Sequence, residues 1–269
     1  MIAPPILTRD QTAPFLAPAL DPALWTALIP AAGRGSRLDW HLPKILYPVA
    51  SRPILAWLLD LLAPRCSGFV FVIAPGAAVE SVEPELNRLI PGRFRIAIQH
   101  DPRGMADAIA SGLPAVGTRH TLIVWGDQVA LKPASLDLCM RLHQGPANPA
   151  ATLPTLIRAN PYIHFERDHS GRILRVLQAR EGDSMPASGE SDSGLFLFRT
   201  EVLRKSLTAL IASPDARGRQ THELNFLPIF PQLDNIVSAR IMTEEESIGV
   251  NSRADAEHLE RRWSAQARP

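Results

Sequence analysis

From Trp25 onward, short apolar runs alternate with longer stretches in which apolar residues recur at helical spacing, the pattern of parallel strands joined by crossover helices. TALIPAA (26–32) reads as the first strand, and FVFVIAP (69–75), RIAIQ (95–99) and TLIVWGD (121–127) as three more, each followed by a glycine or proline break. Helical stretches over 53–63, 77–90, 106–116 and 133–144 lie between them. The first half therefore predicts a three-layer α/β fold around an open, mostly parallel, doubly wound sheet. After residue 150 the pattern changes to ATLPTLI and HFERDHSGRILRVLQ, whose Asp168-His169-Ser170-Gly171 predicts a turn in an antiparallel hairpin inserted beside that sheet. EGDSMPASGESDSG (181–194), almost without apolar residues, predicts a mobile loop. GLFLFR predicts a strand, EVLRKSLTALIA a helix, THELNFLPIFPQL (221–233) a packed helix, and RADAEHLERRWSAQA a basic, solvent-facing one. The Pro/Ala-rich stretch 1–24 shows no period and reads as an extension outside the core of a single domain, 25–269.

Composition narrows the partners more than the fold. Lys plus Arg number 28 against 27 acids, so there is no bulk field to draw the chain onto nucleic acid or an anionic membrane. Any anion it binds must be caught locally. No apolar run approaches the roughly 18 residues of a membrane span, and the N-terminus lacks a basic start with an apolar h-region, which predicts a soluble, cytoplasmic protein. Cys66 and Cys139 stand far apart without CxxC spacing; they suggest buried thiols, neither a disulfide framework nor a zinc site.

One loop is built for an anion. In LIPAAGRGSRL (28–38) the first strand stops at Ala31-Ala32-Gly33, and Arg34, Gly35, Ser36 and Arg37 follow, with Lys44 behind Pro43. A glycine-rich turn after the first strand of an α/β sheet collects backbone N–H groups near a helix start, the usual place for phosphate. A Walker A loop is excluded because no lysine follows Gly35, and a dinucleotide fingerprint because Leu38 stands where the third glycine belongs. Two glycines, two arginines and a lysine suit the charge of a nucleoside triphosphate.

LIPAAGRGSRL followed by LPKILYPV resembles the signature of the sugar-1-phosphate nucleotidylyltransferases, which share a Rossmann-like GT-A fold, and is closest in style to the N-acetylglucosamine-1-phosphate uridylyltransferase domain. The resemblance runs from about residue 26 to 262. Gln99-x4-Gly104-x-Ala106 is similar to the family's nucleobase segment, TLIVWGDQ to its metal-binding strand end, and IGVNSRADAEHLERR (248–262) to its Gly-Val-Asn segment. The resemblance implies that Arg37 and Lys44 are catalytic. It assigns nucleotide binding to Ala31, Ala32, Gly33, Arg34, Gly35, Ser36, Gln99, Gly104 and Met105, and Mg2+ to Asp127 and Asn251. Gln178, Asp192, Ser193, Gly194 and Glu223 would bind the sugar, in a half spanning about 151–240. An NTP, with UTP favoured, and a sugar-1-phosphate would give an NDP-sugar and pyrophosphate, in a monomer or homodimer with neither nucleic acid nor membrane as partner. Departures from the family fall at Met105, where threonine is common, at Gln178, where glutamate is usual, and at Asp192-Ser193-Gly194, in place of Asn-Thr-Gly. The last two point away from N-acetylglucosamine phosphate as acceptor. No hexapeptide repeats follow, so acetyl transfer is not predicted.

Such chemistry needs no general base, because a phosphate monoester with a second pKa near ~6 is mostly dianionic at neutral pH. The sequence matches that: it has no nucleophile elbow, no HExxH and no placeable glycosidase carboxylate pair. Plainer readings compete. Gly33 and Gly35 would serve a tight turn, Asp127 a helix cap before Pro133, and Asn251 the cap of the last helix. Two other functions also compete: a glycosyltransferase, against which Gly126-Asp127-Gln128 offers one acid where Asp-x-Asp is expected, and a catalytically idle nucleotide-binding regulator.

Overall fold

The computed structural model describes residues 3–33 and 35–265. Among them the strands are, in chain order, β1 (Ile6–Thr8), β2 (Trp25–Pro30), β3 (Pro48–Val49), β4 (Arg52–Pro53), β5 (Gly68–Ile73), β6 (Phe94–Ile98), β7 (His120–Val124), β8 (Ala151–Ala159), β9 (Ile163–Arg167), β10 (Ile173–Gln178), β11 (Ser188–Asp192), β12 (Leu195–Arg199) and β13 (Ile236–Arg240). The helices are α1 (Ile54–Leu62), α2 (Ala77–Leu89), α3 (Met105–Gly112), α4 (Pro133–Gln144), α5 (Thr200–Ala212) and α6 (Arg253–Ala265). The main sheet has the order β1-β13-β8-β12-β7-β2-β5-β6, with β11 also paired to β8. Neighbours are parallel except at β11 and β12, which run against the others.

Alternation explains why the strands read as unbroken apolar runs. Ala27, Ile29, Phe69, Phe71, Leu122 and Val124 enter one core beneath α1, α2, α4 and α6. The residues between them, Leu28, Val70, Val72 and Ile123, enter a second core under α3, α5 and the β9–β10 hairpin. A sheet covered on both faces shows no polar alternation. Both cysteines are buried in the first core, as expected, and burial pushes the Cys66 thiol up to about 12, so it is an inert packing group.

The three-layer sheet and the hairpin are as the sequence predicts; Gly171 N–H closes the hairpin turn on Asp168 O at 3.0 Å. Four expectations need correction. The mobile loop over 181–194 is instead ordered: residues 188–192 form β11, and Glu190 is buried between Arg167 at 2.7 Å and Arg240 at 2.9 Å. Charges can lie inside when each has a partner, and apolar content does not register that. The stretch before residue 25 does not lie outside the core, because β1 adds to β13 and buries Leu7. Across 221–233 there is a short 3-10 helix, Leu227–Gln232, in place of a longer helix, since Pro228 and Pro231 lack the N–H an α-helix needs. The last helix is only partly solvent-facing: Ala256 and Leu259 are buried, and the Trp263 ring packs edge-on against Trp57 at 5.4 Å.

Candidate active site

The chain leaves β2 for β5 and β6 on one side and returns to β7 on the other, so the strand order reverses between β2 and β7. Beyond the carboxyl ends of two such strands a parallel sheet opens a crevice. Gly126 N–H donates to Pro30 O at 3.2 Å, and a Cβ on Gly126 would lie 2.8 Å from that oxygen; only glycine lets the two loops meet this closely. Gly35 has φ +60, and a Cβ there would stand 3.1 Å from Lys44 Cβ, so the glycine loop folds back over the lysine.

Three chain segments converge on that lysine. Its Nζ donates to Asp127 Oδ2 at 2.6 Å and to Asn251 Oδ1 at 2.8 Å, while Arg37 Nη2 donates to the same Asn251 oxygen at 3.2 Å. Val250 N–H donates to Asp127 O at 3.0 Å, which fixes the two loops in register. The plainer cap readings do not hold. α4 is preceded by Lys132, not by Asp127. The last helix is capped by Ser252 and Asp255: Asp255 Oδ2 accepts from Ser252 N–H at 2.7 Å, and Ser252 Oγ accepts from Asp255 N–H at 3.3 Å. The Asn251 side chain is thereby free to face Lys44.

A cation fits here. One carboxylate and one amide oxygen, both hard donors, converge on a single ammonium nitrogen. Mg2+ takes few protein oxygens of this kind and completes its shell with water and phosphate. Among the described residues no cluster of three or more His, Cys, Asp or Glu offers a rival metal site.

Around this centre lies a cleft of about 830 Å³. Ala32, Gly33, Arg37, Gln99, Gly104, Met105, Gln178, Asp192, Ser193, Gly194 and Glu223 line it together with Asp127 and Asn251, and Glu223 stands directly against Gly104. Ala31 and Gly35 do not line it. Ala31 is buried and ends β2 by donating to Val72 O at 2.8 Å. Arg34 and the Ser36 side chain lie outside the described residues. Gln99 does not present a free amide: its Nε2 donates to Asp107 Oδ2 at 2.8 Å and Gly104 O at 3.2 Å. At Gly104, whose φ is +117, a Cβ would fall 2.6 Å from Leu224 N and O, so the Leu224 backbone by itself requires glycine here. Burial raises the Asp192 carboxyl above the usual range, and the Asp127 charge acts in the same sense, against the Gly194 N–H at 2.9 Å and the Arg158 charge.

A family model for the MobA-like NTP transferase domain matches residues 27–191. The chain belongs to that family. It is 27% identical over 237 residues to the bifunctional protein GlmU of Carboxydothermus hydrogenoformans, covering 86% of this chain and 51% of the relative. It is 29% identical over 244 residues to GlmU of Desulfitobacterium hafniense, covering 86% and 50%. The chain thus spans about half the length of the curated relatives it matches. Two solved structures share the fold, each with a TM-score of 0.66. They are a nucleoside-diphosphate-sugar pyrophosphorylase from Vibrio cholerae RC9 (18% identity, 87% of this chain and 99% of that one) and an inositol-1-phosphate CTP transferase from T. maritima (13%, 88% and 92%).

Sequence reasoning missed several residues of this nucleotidyltransferase cleft. Arg180 lines it, donates to Glu223 Oε2 at 3.0 Å and also bonds Asn225. Beside it, burial alone would raise the Glu181 carboxyl, but hydrogen bonds from Thr221, Gln220 N–H and Asn225 hold it at about 2. No local pattern announces these cross-loop pairs. Asp107 left a faint trace, standing four residues after Arg103, with which it pairs at 2.6 Å. Trp125 both lines the cleft and packs on Phe196, with ring centroids 4.9 Å apart.

Proposed function

We propose that the protein is a magnesium-dependent nucleotidylyltransferase. It joins an NTP, with UTP favoured, to a sugar-1-phosphate or related phosphorylated polyol, releasing pyrophosphate. The observation that carries this reading is the convergence of Lys44 on Asp127 and Asn251 beneath the glycine loop, at 2.6 and 2.8 Å. An oxygen of the acceptor phosphate attacks the α-phosphorus, and two anions must be brought into line. Positioning and charge neutralisation make up the catalysis. Arg37 and Lys44 bring positive charge to the triphosphate, and the glycine loop brings backbone N–H groups. When bound, Mg2+ offsets phosphate charge and orients the oxygens it binds. Asp127 and Asn251 hold it from opposite loops. Gln99 faces the base, and Gln178, Asp192 and Glu223 face the acceptor. The amide at 178 and the carboxyl at 192 reverse the family's usual donors, which supports an acceptor other than N-acetylglucosamine phosphate.

The test is pyrophosphate release with each of four NTPs against a panel of hexose-, hexosamine-, heptose- and polyol-phosphates. Release that requires both an NTP and one of these phosphates is the expected result. Nucleotide binding without turnover by any acceptor would favour the idle regulator.

A further inference from the structure

Gln99 directly follows β6, its backbone N–H donating to Ile73 O at 3.0 Å, and its side chain is buried at the cleft wall. A primary amide offers two N–H donors and one oxygen. Here Nε2 meets Asp107 Oδ2 at 2.8 Å and Gly104 O at 3.2 Å, and a carboxylate and a carbonyl only accept. Turning the amide over would set oxygen against oxygen twice, so its orientation is a chemical necessity. Asp107 is held in turn by Arg103 at 2.6 Å and is itself nearly buried. What remains of Gln99 is Oε1, which accepts no hydrogen bond among the described residues.

We propose that Asp107 is a positioning residue for base selection: it locks Gln99 so that the base subsite presents an oxygen, and a base that donates from its pairing edge is taken. This rests on the reading that Gln99 faces the nucleobase. Uracil donates from N3–H; cytosine carries a lone pair at that atom and is disfavoured against the same oxygen. The selection is written in Asp107, because an aspartate cannot donate to Gln99, whereas an asparagine in its place can.

Equilibrium binding of the four NTPs with Mg2+, followed by fluorescence or calorimetry, tests the lock without requiring turnover. Wild type binds UTP more tightly than CTP. In Asp107→Asn one of the two acceptors that hold the amide becomes a group able to donate, only the Gly104 carbonyl still opposes the turned amide, and the UTP-to-CTP affinity ratio falls about fivefold, since an unmatched polar pair is costly. Gln99→Glu alone sets two carboxylates side by side and weakens all four nucleotides. Combined with Asp107→Asn it reverses donor and acceptor across that bond yet still shows oxygen to the base; a carboxylate oxygen now meets the Gly104 carbonyl, so all nucleotides bind more weakly than to wild type while the UTP-to-CTP ratio returns to within twofold of it. A merely structural Asp107 would weaken all nucleotides alike in both 107 variants, and that result overturns the proposal. So does a ratio in Asp107→Asn within twofold of wild type, or a wild type that prefers CTP. Thermal melts confirm that each variant is folded. A wild type that binds no NTP removes the nucleotide reading and this inference together, whereas binding with an unaltered preference removes the inference alone.

Discussion

The two halves of the cleft are built on different principles. On the proposed nucleotide side three groups lie just past strand ends: the glycine loop after β2, Gln99 after β6, Asp127 after β7. Local chemistry aims them, because a strand terminus and a glycine leave few directions for the chain. On the proposed acceptor side Gln178 and Asp192 also end strands, β10 and β11, but Arg180 and Glu223 come from stretches some forty residues apart, tied directly to each other, with Glu181 beside them tied to Thr221 and Asn225. Behind them Glu190 sits between two arginines.

The comparison breaks first at Asp127. Asp127→Ala is expected to lower pyrophosphate release at least about 1000-fold with the fold retained by thermal melt, since the charged half of the metal site is lost. Near-wild-type rates would mean that the strand-end cradle does not hold the reacting phosphates. Next comes the acceptor half. Glu190→Ala leaves Arg167 and Arg240 without their carboxylate, and denaturant unfolding should show a loss of about 3 kcal/mol. A loss under about 1 kcal/mol would show that packing, not ion pairing, orders β11.

Acid should separate the halves further. His120 and His143 meet at 4.9 Å beneath the nucleotide half, against Trp25. Burial, with the Arg119 and Arg199 charges, lowers His120 to about 4, and burial with the His120 charge lowers His143 well below its ordinary range. The unfolded chain takes up protons from about pH 6.5 downward while the folded rings stay neutral, so stability is lost as pH falls from there toward 4. At pH 5 His120 alone contributes a loss of about 1 to 2 kcal/mol. The depressed Glu181 carboxyl acts lower, its stabilisation fading from about 4.5 toward 2. Hydrogen exchange at pH 5 should loosen β2, β7 and α4 before the 179–225 loops; the opposite order would reverse the assignment. The smallest effect is Arg180→Ala, expected to raise the acceptor KM about fivefold with the NTP KM within about twofold. An equal rise in both would place Arg180 outside the acceptor wall.

Much of the frame was legible along the chain. The apolar runs from Trp25 to Val124 mark strands because a sheet covered on both faces demands them, and GRGSR stands out as a candidate anion loop because it sets glycine and arginine together at a strand end. Asp127 and Asn251 stood out only through their resemblance to a family motif, 124 residues apart. Tertiary structure alone decided the rest: that these two share one ammonium, that Asp107 turns Gln99 inward, and that an acid-rich stretch becomes the buried strand β11. The physical reason is range. Periodicity and turn chemistry act over a few residues, whereas the partner that makes a buried charge or a turned amide stable arrives from a distant strand, and no pattern near the residue itself records which partner that is.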